Sequence, residues 1–131
     1  MNIALIAHDA KKKLMQNFCI AYSGILNKHE LYATGTTGRL IEEVTNLNIH
    51  KFLAGHLGGT EQIGAMIDNN EIDAVIFLRD PERPKSHEPS INDVIKLCDV
   101  NNIPIASNLA TAEVIIMALD RGDLDFRDAY K

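Results

Sequence analysis

The chain alternates between short apolar runs and longer segments with helical spacing. The runs are rich in β-branched and small apolar residues, as expected for strands that are buried on both faces. They cover residues 3–7, 31–33, 51–53, 74–78 and 103–106. Each run is a predicted strand.

Between and after these runs, apolar residues recur three or four positions apart, which places them on one face of a helix. The predicted helices are centred on residues 14–25, 40–44, 63–67, 94–98 and 114–119. A strand and a helix alternate five times, and right-handed crossovers then give a parallel sheet. We therefore predict an α/β fold, a single doubly wound domain over residues 1–131 with a five-stranded parallel sheet and helices on both faces.

Composition narrows the class of protein. The 131 residues carry a net charge of −5, which argues against nucleic-acid binding because that activity rests on a broad positive surface. Cys19 and Cys98 lie in apolar helical patterns, which favours reduced core thiols over disulfides or a zinc site. No apolar stretch approaches membrane-spanning length. We expect a cytoplasmic protein without a membrane segment or a metal.

In doubly wound sheets, ligands bind beyond the carboxyl ends of the strands. The residues that follow the predicted strands are polar or glycine-rich, and the loop 79–89 holds three prolines and is expected to fold over a site. The segments in question are 8–12, 34–38, 54–60, 79–89 and 107–108.

The segment Thr34-Gly-Thr-Thr-Gly38 combines glycines, hydroxyl groups and the start of a helix, a pattern that suits a phosphate. Lys12 stands at a neighbouring strand end and can add a positive charge. The alternative for the threonine segment is a helix cap, which uses the same residue types. For Lys12 the alternative is an exposed helix face.

Gly58 and Gly59 precede a helix that begins near Thr60. The amides at this second helix start can bind an anion or stabilise an oxyanion. Thr60 itself is interpreted first as the helix N-cap. His8 ends a predicted strand beside Asp9, and His87 lies in the proline-containing loop, where an imidazole can polarise a carbonyl.

Six segments together resemble the methylglyoxal synthase family, in order and over nearly the whole chain. They are Ile3-Ala-Leu-Ile-Ala-His-Asp9, Tyr32-Ala-Thr-Gly-Thr-Thr-Gly38, Gly58-Gly59, Phe77-Leu-Arg-Asp-Pro81, His87-Glu-Pro89 and Ile103-Pro-Ile-Ala-Ser-Asn108. The resemblance implies a cytosolic homohexamer that converts dihydroxyacetone phosphate to methylglyoxal and inorganic phosphate without a metal or an organic cofactor.

The resemblance also implies a role for each matching residue. His87 would polarise the substrate oxygens, and His8 and Asp9 would shape the pocket. The residues implied to hold the phosphate are Lys12, Thr34, Thr36, Thr37 and Gly55.

Two carboxylate positions of the family differ here. The family's loop after the third strand reads Ser-Gly-Pro-Leu-Gly-Gly-Asp-Gln-Gln, whereas this chain has Ala54-Gly-His-Leu-Gly-Gly-Thr-Glu-Gln62, so Thr60 occupies the position of the catalytic base. Ser90 stands at the second position. A threonine hydroxyl is too weak a base at neutral pH, so Asp9 or Glu61 would have to replace the missing aspartate. The alternatives are a phosphate-ligand sensor without turnover and a lyase for another phosphorylated substrate.

Overall fold

The computed structural model describes residues 1–82 and 88–131, apart from the side chain of His56. Five parallel strands form one sheet in the order β3-β2-β1-β4-β5. The strands are β1 (Asn2–Ala7), β2 (Glu30–Ala33), β3 (Ile49–Lys51), β4 (Ala74–Leu78) and β5 (Ile105–Ala106). This arrangement confirms the predicted α/β class and the five-stranded parallel sheet.

Six α-helices connect or follow the strands. They are α1 (Lys12–Ala21), α2 (Ser23–Leu26), α3 (Gly35–Val44), α4 (Gly59–Asp68), α5 (Ile91–Asn101) and α6 (Leu109–Arg121). Three short 3-10 segments complete the described secondary structure at Asp9–Lys11, Gly55–Leu57 and Asp125–Tyr130.

The helices cover both faces of the sheet, as predicted. One apolar cluster joins Ile3 and Leu5 of β1 to α1, α3 and α6, and a second joins Ala4 and Ile6 to α4 and α5. Successive residues of a strand point to opposite faces, so the continuous apolar run of β1 fills both layers. The central strand is buried because it has helices on both sides.

Three predicted elements were wrong in their bounds. The fifth strand was placed at 103–106, but β5 is only Ile105–Ala106. The third strand was placed at 51–53, but β3 is Ile49–Lys51, in register with β2 through Leu31 and Ile49. The carbonyl group of Leu53 instead turns toward α3 and accepts a hydrogen bond from the amide of Gly35 at 3.0 Å. The first predicted helix is broken between α1 and α2, next to a Ser-Gly pair, a sequence at which helices often bend.

The order of the strands determines where a ligand can bind. The chain runs outward from β1 through β2 to β3, then returns through α4 to place β4 on the other side of β1. In sheets of this kind a ligand is expected to bind near this switch of direction, beyond the carboxyl ends of the strands. No helix within the described ranges is long and apolar enough to cross a lipid bilayer.

The opposite end of the sheet is closed by a buried ion pair. Arg127 is fully buried and donates hydrogen bonds to the carbonyl groups of Asn101 and Ile72 at 2.9 and 3.0 Å. Its Nε lies 3.6 Å from the carboxylate of Asp73, which also contacts Lys131 at 2.8 Å. The Asp73 carboxylate accepts the Asn2 amide at 2.8 Å. These contacts hold the amino-terminal strand and the last 3-10 segment together.

Candidate active site

A cavity of about 150 Å³ lies beyond the carboxyl ends of β1 and β2 and against the start of α4. Six of the residues singled out from the sequence line it, namely Asp9, Lys12, Thr34, Thr36, Gly55 and Thr60. They come from three separate segments of the chain. Predicted site residues that are far apart in sequence therefore meet in one place, called the small cavity below.

Lys12 is held in a fixed position at the edge of the small cavity. Its Nζ donates to the carbonyl oxygen of Ala7 at 2.7 Å and to Oγ1 of Thr37 at 3.2 Å, and it lies 3.6 Å from the carboxylate of Asp9. The side chain is 18% exposed. A cation that is already ordered and partly desolvated gives up little conformational entropy when an anion binds.

The start of α3 is shaped by glycine and threonine together. Thr34 is the N-cap residue of α3, as the helix-cap alternative for this segment expects, but its side chain makes no cap hydrogen bond. Its Oγ1 donates instead to Oγ1 of the buried Thr37 at 3.4 Å. A Cβ on Gly35 would lie 2.8 Å from the carbonyl oxygen of Phe52, which explains why glycine is needed there. The first amides of α3 have no side-chain cap. They lie at the amino end of the helix, which favours anions.

His8 has a structural position. It is 3% exposed and lies edge-on against Phe77. The amide of Asp80 donates to Nδ1 at 2.8 Å, and Nε2 lies 2.8 Å from the carbonyl oxygen of Pro89. The first bond makes Nδ1 an acceptor, so Nε2 carries the proton and donates to Pro89. His8 thus shapes the wall of the site, and both of its ring nitrogens are engaged.

The loop before α4 depends on two glycines. Gly58 has φ +108°, a left-handed conformation that favours glycine. A Cβ on Gly59 would lie 1.8 Å from the carbonyl oxygen of Leu53. The N-cap of α4 is Gly58 and the helix begins at Gly59. The interpretation of Thr60 as the N-cap was therefore wrong, since Thr60 is the second residue of the helix.

The hydroxyl group of Thr60 is the most informative polar atom of the small cavity. It lies 3.3 Å from the position that a Cβ on Gly55 would take. Oγ1 is buried and has no hydrogen-bond partner among residues 1–82 and 88–131. A buried hydroxyl group without a partner costs free energy, and such groups occur where a ligand supplies the missing partner.

The carboxylates of the region lie in different places. Asp9 lines the small cavity with its side chain 41% exposed, and its backbone amide donates to Oε2 of Glu88 at 2.6 Å. Glu61 is exposed and lines an adjoining groove of about 660 Å³ between α4 and α5, which also includes Ser90. Of the two substitute bases predicted from the sequence, only Asp9 lines the small cavity.

Sequence reasoning did not single out Glu88 as a site residue, although it lines both the small cavity and the groove. Its neighbours His87 and Pro89 in the sequence were the available signal. His87 lies outside the described residues, as does the centre of the loop predicted to cover the site. Within the described ranges, no group of three or more His, Cys, Asp or Glu residues is arranged to hold a metal ion.

Comparisons with known proteins agree with this fold. A family model described as the MGS-like domain matches residues 16–107. The chain is 64% identical to a methylglyoxal synthase of Caldicellulosiruptor saccharolyticus over 128 residues, which is 98% of this chain and 91% of the relative. It is 60% identical to a methylglyoxal synthase of Alkaliphilus metalliredigens over 131 residues, covering 100% and 98% of the two chains.

A solved structure shows the same fold. The crystal structure of methylglyoxal synthase from Elizabethkingia anophelis matches with a TM-score of 0.85 and 43% sequence identity. The match covers 88% of this chain and 76% of that chain.

Proposed function

This chain belongs to the methylglyoxal synthase family, and we propose that its small cavity eliminates phosphate from dihydroxyacetone phosphate to give methylglyoxal. The observation that carries the proposal is the convergence of Asp9, Lys12, Thr34 and Thr60 on one cavity. This set combines a carboxylate, a fixed cation and two hydroxyl groups. Those are the groups that a phosphate elimination through an enediolate requires.

The phosphate end of the substrate is assigned to Lys12 and the start of α3. The lysine supplies a full positive charge, and Thr34, Thr36 and the uncapped amides supply hydrogen-bond donors. Thr37 contributes by holding Nζ of Lys12 in place. The buried surroundings strengthen each of these interactions, because few water molecules compete for the donors.

Asp9 is assigned the role of the base. Its carboxylate takes a proton from the hydroxymethyl carbon of the substrate, and the electron pair of that C–H bond forms the carbon-carbon double bond of an enediolate. The enediolate then expels phosphate by breaking the carbon-oxygen bond to the phosphate group. The resulting enol takes up a proton to become methylglyoxal, so the reaction needs no oxidant or metal.

Thr60 is assigned the role of a hydrogen-bond donor to the enediolate. Its Oγ1, which has no hydrogen-bond partner among the described residues, is buried beside Gly55 in the same cavity as Asp9. A donor aimed at developing negative charge contributes most where water is excluded. We assign His87 the same electrostatic task at the carbonyl group.

Glu88 positions the base. It accepts the backbone amide of Asp9 at 2.6 Å, which fixes the short 3-10 segment that carries the Asp9 side chain. Glu61 lines the adjoining groove instead. We further propose that the protein works in the cytoplasm as a single-domain homohexamer and that inorganic phosphate, as the product, binds in the small cavity.

The test compares carboxylate variants in an assay for methylglyoxal and phosphate release from dihydroxyacetone phosphate. Asp9→Asn should lower kcat by a factor of about 10² to 10⁴, the usual contribution of a positioned base. Glu61→Gln is the matched control and should keep near-parental kcat. If the parent binds dihydroxyacetone phosphate without turnover, the protein is a sensor. If only Glu61→Gln lowers kcat, Glu61 of α4 is the base instead of Asp9.

A further inference from the structure

A second cavity, of about 330 Å³, lies at the carboxyl ends of β4 and β5. Lys11, Arg79 and Ser107 bring cationic and polar groups to it from the ends of three elements, namely the Asp9–Lys11 segment, β4 and β5. Its volume falls in the range of small-molecule sites, which begins near about 300 Å³. We call it the second cavity.

The two cations of the second cavity have no side-chain partner in the part of the chain that the structure describes. Neither Lys11 nor Arg79 makes a side-chain hydrogen bond or an ion pair within the described ranges, although the net charge of the chain is −5. By contrast, most cations of the described chain are paired with a carboxylate, as in Lys28 with Asp120. Two unpaired cations on one concave surface produce a local positive potential that attracts anions.

Apart from Asn108, the rest of the lining consists of apolar residues. These apolar residues are Leu14, Leu78, Pro81 and Leu109. An inorganic anion would leave this surface in contact with water, whereas the hydrocarbon part of an organic anion would cover it. The lining therefore matches a ligand with a charged head and a short apolar body.

The second cavity is separate from the small cavity. The two share no lining residue. His8 lines a further cavity, which shares Arg79 and Pro81 with the second cavity and Glu88 and Pro89 with the small cavity. The Oδ1 atom of Asn108 already caps α6 by accepting the Thr111 amide at 3.0 Å, and Lys11 and Arg79 are the charged residues of the lining.

We propose that the second cavity is a binding site for a small organic anion, a phosphate monoester or a carboxylate. Lys11 and Arg79 bind its charged head. The leucines and the proline of the lining cover its apolar body. The site is distinct from the one that binds dihydroxyacetone phosphate, and the proposal does not depend on turnover.

The experiment titrates n-butyl phosphate into the full ¹⁵N-labelled chain and follows amide shifts. The parent should show two binding events, one at Thr36 and Thr37 and one at Ser107 and Leu109. Lys11→Gln combined with Arg79→Gln should weaken the second event by about a hundredfold, about tenfold for each charge-assisted contact removed, and leave the first in place.

The matched control is Lys13→Gln combined with Lys96→Gln, which removes two exposed cations outside both cavities. This variant should keep both events. If the control variant weakens the second binding event equally, the effect comes from net charge alone and the proposal is wrong. The proposal is also wrong if the parent shows no amide shifts at Ser107 and Leu109.

Two further probes identify the ligand class. The first is butyrate. Comparing its affinity with that of n-butyl phosphate shows whether the site prefers a carboxylate or a phosphate monoester, and tighter binding of either one supports an organic anion. The second is inorganic phosphate. If inorganic phosphate binds at Ser107 and Leu109 as tightly as n-butyl phosphate, the apolar lining contributes nothing and the proposed class is wrong.

Discussion

Replacing Thr60 by valine should raise the stability of the protein and lower its activity. Valine has nearly the same shape as threonine but no hydroxyl group. In the ligand-free protein the Thr60 hydroxyl group is buried without a partner among the described residues, so its removal should stabilise the fold by about 1 kcal/mol. For a chain of 131 residues, that free energy corresponds to a rise in melting temperature of about 4 °C.

The same substitution should lower activity. If Oγ1 of Thr60 donates to the enediolate, Thr60→Val loses one hydrogen bond in the transition state. A hydrogen bond of about 1.4 kcal/mol corresponds to about a tenfold lower kcat/KM. Thermal unfolding by circular dichroism and a steady-state assay of methylglyoxal formation measure the two effects on the same preparation.

Thr45 offers a matched control for this experiment. Its Oγ1 donates to the carbonyl oxygen of Ile41 at 2.8 Å and accepts the amide of Leu47 at 3.2 Å. Thr45→Val should therefore lower the melting temperature and leave kcat/KM unchanged. If Thr60→Val also lowers the melting temperature and keeps parental kcat/KM, the hydroxyl group is satisfied in the free protein and has no role in the reaction.

Three other substitutions or treatments test separate features. Thr60→Asp should lower kcat/KM by about tenfold or more, because it replaces the donor by a second negative charge near Asp9; an increase of about 10² would show instead that the parent lacks a base. Arg127→Leu should lower the free energy of unfolding by about 3–5 kcal/mol in urea titrations, since it leaves the 1% exposed Asp73 carboxylate without its buried partner, and an effect below about 1 kcal/mol would contradict this. Burial raises the pKa of both Cys19 and Cys98 to about 12. Iodoacetamide at pH 8 should therefore alkylate them only after unfolding, and rapid labelling of the native protein would contradict the burial of these thiols.

The interior of the fold could be predicted because its strands are buried on both faces. The run Ala74–Leu78 matches β4 residue for residue, since five successive buried apolar residues fit few other structures. The edge strand β3 was predicted at residues 51–53, two positions further toward the carboxyl terminus than it lies. Only Ile49 of β3 is buried, so its apolar pattern is short, and the following apolar residues Phe52 and Leu53 gave a stronger local signal.

The location of the candidate site could be predicted from the sequence, but the roles of several of its residues could not. Lys12 and Thr34 could be placed together because the carboxyl ends of parallel strands meet at one edge of the sheet. The hydrogen bonds of His8 and the contact between Glu88 and the amide of Asp9 could not be derived from the sequence. They join residues about eighty positions apart, and no periodic pattern specifies which loop atoms meet at that distance.

The buried ion pair at the amino ends of the strands also affects the order in which the protein is completed during synthesis. Asp73 leaves the ribosome long before Arg127 and Lys131, the residues that neutralise it in the finished fold. Until those residues emerge, its carboxylate must stay hydrated, because burying an unpaired charge is too costly. The nascent sheet therefore stays open to water at this end, and the docking of its strands there waits until Arg127 and Lys131 have been translated.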